Sequence, residues 1–213
     1  MNMRKGFGIC CILLGLCCLL SSIGLVFYNR WEETQAQTAS ESILQDVREN
    51  LPEHTPGEPA PEESPREEPL EIPLEIPLDI PREMLTMEVN GYDFIGVLSI
   101  PVLELELPVL TDWTYEKLKT APCHYFGSCY EENFVIAAHN YPSHFGRLSA
   151  LQQGDLILFT DVSGTVHGYE VVLRETLPGN ATEEMITSGF DLSLYTCTPG
   201  GASRVTVRCS AVS

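Results

Sequence analysis

From Gly6 to Asn29 the chain carries no charged side chain, and Phe7 to Tyr28 is 22 residues of nearly unbroken apolar character. As a helix rising about 1.5 Å per residue, such a run matches a hydrocarbon core roughly 30 Å thick. Arg4 and Lys5 precede it, and Glu32 and Glu33 follow shortly after Arg30. The bias of positive charge toward the cytoplasm places the N-terminus inside and residues 31–213 outside the cell. A cleaved signal peptide has a shorter apolar region, about 7–15 residues. Thr34-Gln35-Ala36 also makes a poor cleavage site. Residues 1–30 therefore read as a cytoplasmic tip and an uncleaved anchor that holds the chain in the cell membrane through residues 7–28.

The charge is distributed unevenly along the 213 residues. The formal total is −18. Residues 1–30 carry only Arg4, Lys5 and Arg30, giving +3, whereas residues 31–90 hold 16 acids against Arg48, Arg66 and Arg82, giving −13. The remaining −8 belongs to residues 91–213. No Lys/Arg-rich stripe appears, which excludes a nucleic-acid binder on composition. Nine prolines fall between Leu51 and Pro81, and from Pro69 the chain repeats Pro-Leu-Glu-Ile, Pro-Leu-Glu-Ile, Pro-Leu-Asp-Ile. Proline removes backbone donors, so neither a continuous helix nor a central strand fits there. Residues 31–90 read as an acidic Pro-rich linker, with a short frayed helix in 31–50 and an extended spacer beyond it.

From Asp93 onward short β-branched and aromatic runs alternate with Gly, Pro, Asn and Asp turns, the signature of an all-β domain. Strands are expected at Phe94–Ile100, Glu104–Pro108, Phe134–Ala138, Asp155–Thr160, Val166–Arg174, Leu192–Cys197 and Arg204–Cys209. A short helix is expected at Asp112–Lys119, with Asp112 as its cap, and a helical turn at Thr182–Thr187. Seven or so strands in residues 91–213 describe a small closed barrel or a sandwich.

Three residues carry chemistry. His139 ends the strand-like run Asn133-Phe-Val-Ile-Ala-Ala-His, Cys197 ends Ser193-Leu-Tyr-Thr-Cys, and Arg204 opens Arg204-Val-Thr-Val. Reactive side chains at strand ends are where a rigid scaffold can present them to a substrate. A thiolate can attack an acyl carbon while an imidazole moves the proton. A guanidinium, charged throughout, can stabilise an oxyanion. Each residue also has a plain structural reading: a buried thiol, a satisfied core histidine and a surface strand charge.

These stretches, in this order, resemble the sortases, the membrane-anchored cysteine transpeptidases of Gram-positive bacteria. Gly96-Val-Leu-Ser-Ile-Pro-Val-Leu-Glu-Leu-Glu-Leu-Pro-Val is similar to the family's opening strands. Ala138 stands where its histidine motif usually has Gly, and Ser193 where its cysteine motif has Thr. The resemblance covers about residues 93–213, and an anchor with a linker fits it. It implies an eight-stranded β-barrel in which Cys197 is the nucleophile, His139 the general acid and base, and Arg204 the oxyanion or carbonyl donor. Ala138 and Thr196 would be substrate-binding walls or backbone donors. The implied reaction cleaves a Leu-Pro-x-Thr-Gly-like sorting signal and passes the acyl group to an amine, such as a peptidoglycan precursor or a pilin lysine, without a cofactor. No Asp-Pro-aromatic lid segment precedes the barrel, which favours anchoring of surface proteins over pilin polymerisation and a class D-like or class B-like enzyme.

Two other readings compete. Cys123, Cys129, His139 and His144 have the spacing C-x5-C-x9-H-x4-H, which misfits a zinc finger. No metal is therefore expected, though Cys123 and Cys129 could pair as a disulfide. Arg208 competes with Arg204 for the arginine role but points away from the cysteine end of its strand. The non-enzymatic alternative is a membrane-tethered β-barrel that binds a partner at the cell surface.

Overall fold

The computed structural model describes residues 3–52 and 83–212. The Pro-Leu-Glu-Ile repeat lies outside the described residues. The N-terminal run forms helix α1, Met3–Asn50, which is longer than the apolar segment alone demands. It includes the stretch from Ile12 that is long and apolar enough to cross a membrane. Its side chains from Ile12 to Arg30 are exposed. Farther along, Ala36, Ser40, Ile43 and Val47 are buried. Their spacing of three and four puts them on one helical stripe, and that stripe lies against the β domain.

Nine strands follow: β1 (Met87–Val89), β2 (Tyr92–Ile100), β3 (Leu105–Leu110), β4 (Cys123–Phe126), β5 (Phe134–Ala137), β6 (Leu156–Asp161), β7 (Val166–Pro178), β8 (Leu192–Cys197) and β9 (Ser203–Ala211). The sheet order is β1-β2-β3-β4-β5-β8-β9-β7-β6, and β6 pairs back onto β2. Eight strands, β2 to β9, thus close a barrel, as expected, while β1 is a three-residue addition beside β2. Gly96 permits the closure. It sits at a bulge in β2 opposite Asp161 of β6, and a Cβ there would collide with the Thr160 carbonyl.

The seven expected strands are all present, most of them a residue or more longer or shifted. Strands β1 and β4 were missed because each has only three or four residues, too few to show alternation. The expected helix shortens to α2, Tyr115–Leu118. Thr114, not Asp112, caps it by accepting the Lys117 N–H, while Asp112 pairs with the Lys117 ammonium. The helical turn α3, Thr182–Ile186, sits between β7 and β8 as expected.

Two apolar clusters hold the domain. The barrel interior contains Leu98, Phe134, Ile136, Phe145, Phe159, Leu192, Leu194, Val207 and Cys209. A second cluster, of Ile43, Val47, Val89, Phe94, Val97, Leu110, Ala121 and Cys123, joins α1 to the outside of β2, β3 and β4. Each fully buried Ile or Val side chain contributes roughly 1.5–3 kcal/mol. Arg48 pairs with Glu106, and Asp46 accepts from the Asn90 amide at 2.6 Å. The C-terminal half of α1 is therefore part of the folded domain. Cys123 is sealed under α1 and Cys129 lies in the barrel core, so the two do not bridge, and burial raises the Cys123 pKa to about 12.

Candidate active site

The site follows from the register of three neighbouring strands. Strands β5 and β8 run parallel, with Phe134 opposite Leu192 and Ala137 opposite Tyr195. The same 58-residue offset joins Ala138 to Thr196, whose hydroxyl donates to the Ala138 carbonyl at 2.8 Å. Carried one residue on, it brings His139 level with Cys197. Strand β9 runs antiparallel on the other side of β8, with Arg204 directly opposite Cys197. Alternation then assigns the faces. Leu192, Leu194, Val207 and Cys209 fill the barrel. Cys197 and Arg204 belong to the opposite, outer face.

His139, Cys197 and Arg204 line one groove on that face. Ala138 lines it too. Thr196 does not: it is 3% exposed and lies on the inner side of β8, where it ties the two strands together. The Cys197 thiol is half-buried. The Arg204 Nη1 donates to the carbonyls of Gly201 and Ser203 at 3.0 and 3.2 Å, which holds the guanidinium at the β8–β9 turn. Gly200 and Gly201 shape that turn with φ of +84° and +74°, a backbone that side chains rarely adopt.

Burial holds the His139 pKa below its ordinary value, with nearby Lys119 lowering it further and Glu32 opposing. Its Nε2 is buried and finds no hydrogen-bond partner among the described residues. The ring lies 5.0 Å from the Tyr141 ring, which in turn lies 5.6 Å from that of His144. A neutral imidazole, a thiol and a fixed guanidinium that line one groove are the groups that can move a proton while charge develops on a carbonyl oxygen.

Arg208 is elsewhere and differently employed. It is 1% exposed and donates to Glu175 at 2.8 Å, to the Ser193 hydroxyl at 2.8 Å and to the Glu184 carbonyl at 2.7 Å. Those bonds anchor α3, the element that roofs the groove through Thr182 and Met185.

Sequence reasoning missed most of the groove walls. Trp113 stacks against Tyr125 at 5.6 Å, and Tyr125 meets Tyr195 edge-on at 5.3 Å. Pro178, Gly179 and Ala181 complete the opposite side. Tyr195 was legible, being two residues before Cys197 on the same strand face. Trp113 and Tyr125 arrive through tertiary packing, with no local signal.

A second cysteine–histidine grouping lies apart from this groove. Cys129, Asp161 and His167 bring their potential ligand atoms within 4.8 Å of one another. Burial would raise the Asp161 pKa, but donors from Ser163, His167, Thr165 and Tyr130 hold the carboxyl below its usual range. The carboxylate accepts the backbone N–H groups of Ser163 and Thr165 at 2.9 and 3.0 Å, and His167 Nε2 at 3.0 Å. One of its oxygens fixes the β6–β7 turn and the other accepts from Tyr130 and His167. The zinc reading of Cys123, Cys129, His139 and His144 also fails on placement, since Cys123 lies under α1 and Cys129 in the barrel core.

A family model described as Sortase domain matches residues 98–212. No curated protein matches the chain. Among solved structures, sortase C-3 from Streptococcus pneumoniae is 27% identical with a TM-score of 0.53, over 60% of this chain and 69% of that one. Sortase A from Corynebacterium diphtheriae is 22% identical with a TM-score of 0.52, over 57% of this chain and 62% of that one. Sortase C from Clostridium perfringens, with the C-terminal cell wall sorting motif, gives 22% identity and a TM-score of 0.51, over 57% and 71%.

Proposed function

Because the chain belongs to the sortase family, we propose that it is a cysteine transpeptidase. In this reading it cleaves a Leu-Pro-x-Thr-Gly-like sorting signal and joins the acyl fragment to an amine. The observation that supports the reading is that Cys197 and Arg204 oppose each other across β8 and β9 while His139, just past β5, lines the same groove.

The Cys197 thiol gives its proton to His139, the resulting thiolate adds to the carbonyl carbon of the scissile bond, and the developing oxyanion meets the Arg204 guanidinium. The C–N bond breaks as His139 gives a proton to the leaving amine, and a thioester remains on Cys197. An incoming amine then gives a proton to His139, attacks the thioester and expels the thiolate. Acyl and amine are joined, and the enzyme returns to its starting protonation. The aromatic wall of Trp113, Tyr125 and Tyr195 suits the Leu-Pro end of such a signal, being apolar and rigid. A peptidoglycan precursor as the amine, and hence anchoring of surface proteins, is the acceptor we favour over a pilin lysine. The topology assigned to the anchor, with the N-terminus cytoplasmic and the barrel outside, puts the groove where such substrates are.

The test is incubation of the full chain in detergent micelles with a panel of sorting-signal peptides plus an amine nucleophile. Thiol-dependent cleavage and amine ligation support the proposal. Absence of both across the panel, or cleavage undiminished in Cys197→Ala, leaves a binding module in its place.

A further inference from the structure

We propose that the corner where α1 meets α2 rests on the outer surface of the bilayer, holding the mouth of the catalytic groove at the level of the lipid headgroups. Three observations on unrelated residues lead there.

First, α1 has no joint between membrane and barrel. It is helical without interruption from Met3 to Asn50. Its fully exposed span ends at Trp31, and its buried stripe begins at Ala36, less than two turns later. A helix this continuous transmits position rather than absorbing it.

Second, the membrane-exit end of α1 lies on the groove side of the barrel. Glu32 faces Lys119 at 4.0 Å, and Lys119 directly follows α2, whose Tyr115 and Leu118 line the groove. Tyr28, Glu32 and Glu33 all act electrostatically on Tyr141, two residues beyond His139. From Tyr28 to Glu32 the helix climbs only about 6 Å. The other end of the docked segment lies away from the membrane, where Arg48 meets Glu106 and Pro52 approaches Gly164.

Third, the surface chemistry at this corner suits an interface. Tyr28, Trp31, Trp113 and Tyr115 are 57%, 61%, 42% and 71% exposed. Exposed Trp and Tyr next to a span are the residues that settle at headgroup depth.

The Pro-rich linker then has a different role from a spacer. Pro52 before it and Met84 and Met87 after it are both attached to the barrel–α1 body, so its length does not set the height of the site. In calling the groove catalytic, the placement rests on the proposed transpeptidase activity.

The experiment needs no catalysis, so its failure is separable from failure of the enzymatic reading. The chain has two tryptophans. W31F leaves only Trp113, on the groove wall, and W113F leaves only Trp31, at the membrane exit. Each full-length variant is placed in phosphatidylcholine–phosphatidylglycerol vesicles carrying a trace of headgroup-dansylated phosphatidylethanolamine, and tryptophan-to-dansyl transfer is measured. Transfer from Trp113 within about twofold of that from Trp31 is expected. Strong transfer from Trp31 with none from Trp113 would overturn the proposal, since it would put the barrel well above the surface. In W31F carrying Val47→Asp, which breaks the α1 contact, transfer from Trp113 should fall. Should that variant misfold, Arg48→Glu, which sets two acids against each other at Glu106, reads the same contact from the surface.

Discussion

The molecule brings a cysteine and a histidine together in two places, and the contrast between them shows what a reactive site requires. At Cys129 and His167 both oxygens of the Asp161 carboxylate are engaged, one in the β6–β7 turn and the other with Tyr130 and His167, and Cys129 is 7% exposed. At Cys197 and His139 the thiol is half-buried in a groove, an arginine stands opposite on the next strand, and the imidazole keeps an unengaged ring nitrogen. The first arrangement spends its polar groups on structure. The second holds them in reserve, which is affordable only because the surrounding strands fix their geometry.

Five changes probe the contrast, the largest expected effect first. Cys197→Ala should lower sorting-peptide cleavage by about a thousandfold or more, measured as kcat/KM, because no other accessible thiol faces the groove among the described residues. Next, Arg204→Ala should cost about 100- to 1000-fold in kcat with the melting temperature nearly unchanged. Arg204→Lys should recover only part of this, since an ammonium lacks the planar fork. Arg208→Ala should do the reverse, destabilising by about 3–5 kcal/mol in denaturant titration because it strands Glu175 and releases α3.

The fourth change is acidification. Burial lowers the His144 pKa from 6.5 to about 4, and the His139 pKa also falls. Groups more acidic in the folded state bind fewer protons than the unfolded chain, so their folded form is favoured above pH 6.5 and loses ground as pH drops toward 4. Roughly 2–3 kcal/mol should disappear over that window, and His144→Phe should flatten the profile. The smallest effect should come from Cys129→Ala. Cleavage should stay within about twofold of the parent while stability falls by about 1 kcal/mol, and a larger loss of activity than of stability would reverse the roles assigned to the two sites.

Much of this was legible in the sequence, for identifiable reasons. Strand β9 alternates Val205, Val207 and Cys209 with Arg204, Thr206 and Arg208, so its sequence announced the core face and set Arg204 on the other, whereas β8 alternates only through Leu192 and Leu194. The 58-residue interval between His139 and Cys197 is the register offset of a parallel pair, a long-range fact that happens to be written as a spacing. What stayed hidden depends on packing between distant segments. Trp113 and Tyr125 reach the groove only once β4 pairs with β5. The docking of α1 was likewise unreadable, because its buried stripe begins with Ala36 and Ser40, residues too small and polar to advertise a core. An apolar run beside an acidic one suggested an anchor followed by a spacer, whereas the helix continues through the boundary and packs.

The most direct test of the central claim is to trap the acyl intermediate. The full chain is incubated with a sorting-signal peptide without added amine, quenched in acid, digested and mapped by mass spectrometry. The account predicts a thioester-linked fragment on the peptide that contains Cys197. An adduct on Cys129, or none on any cysteine despite cleavage of the substrate, would contradict it.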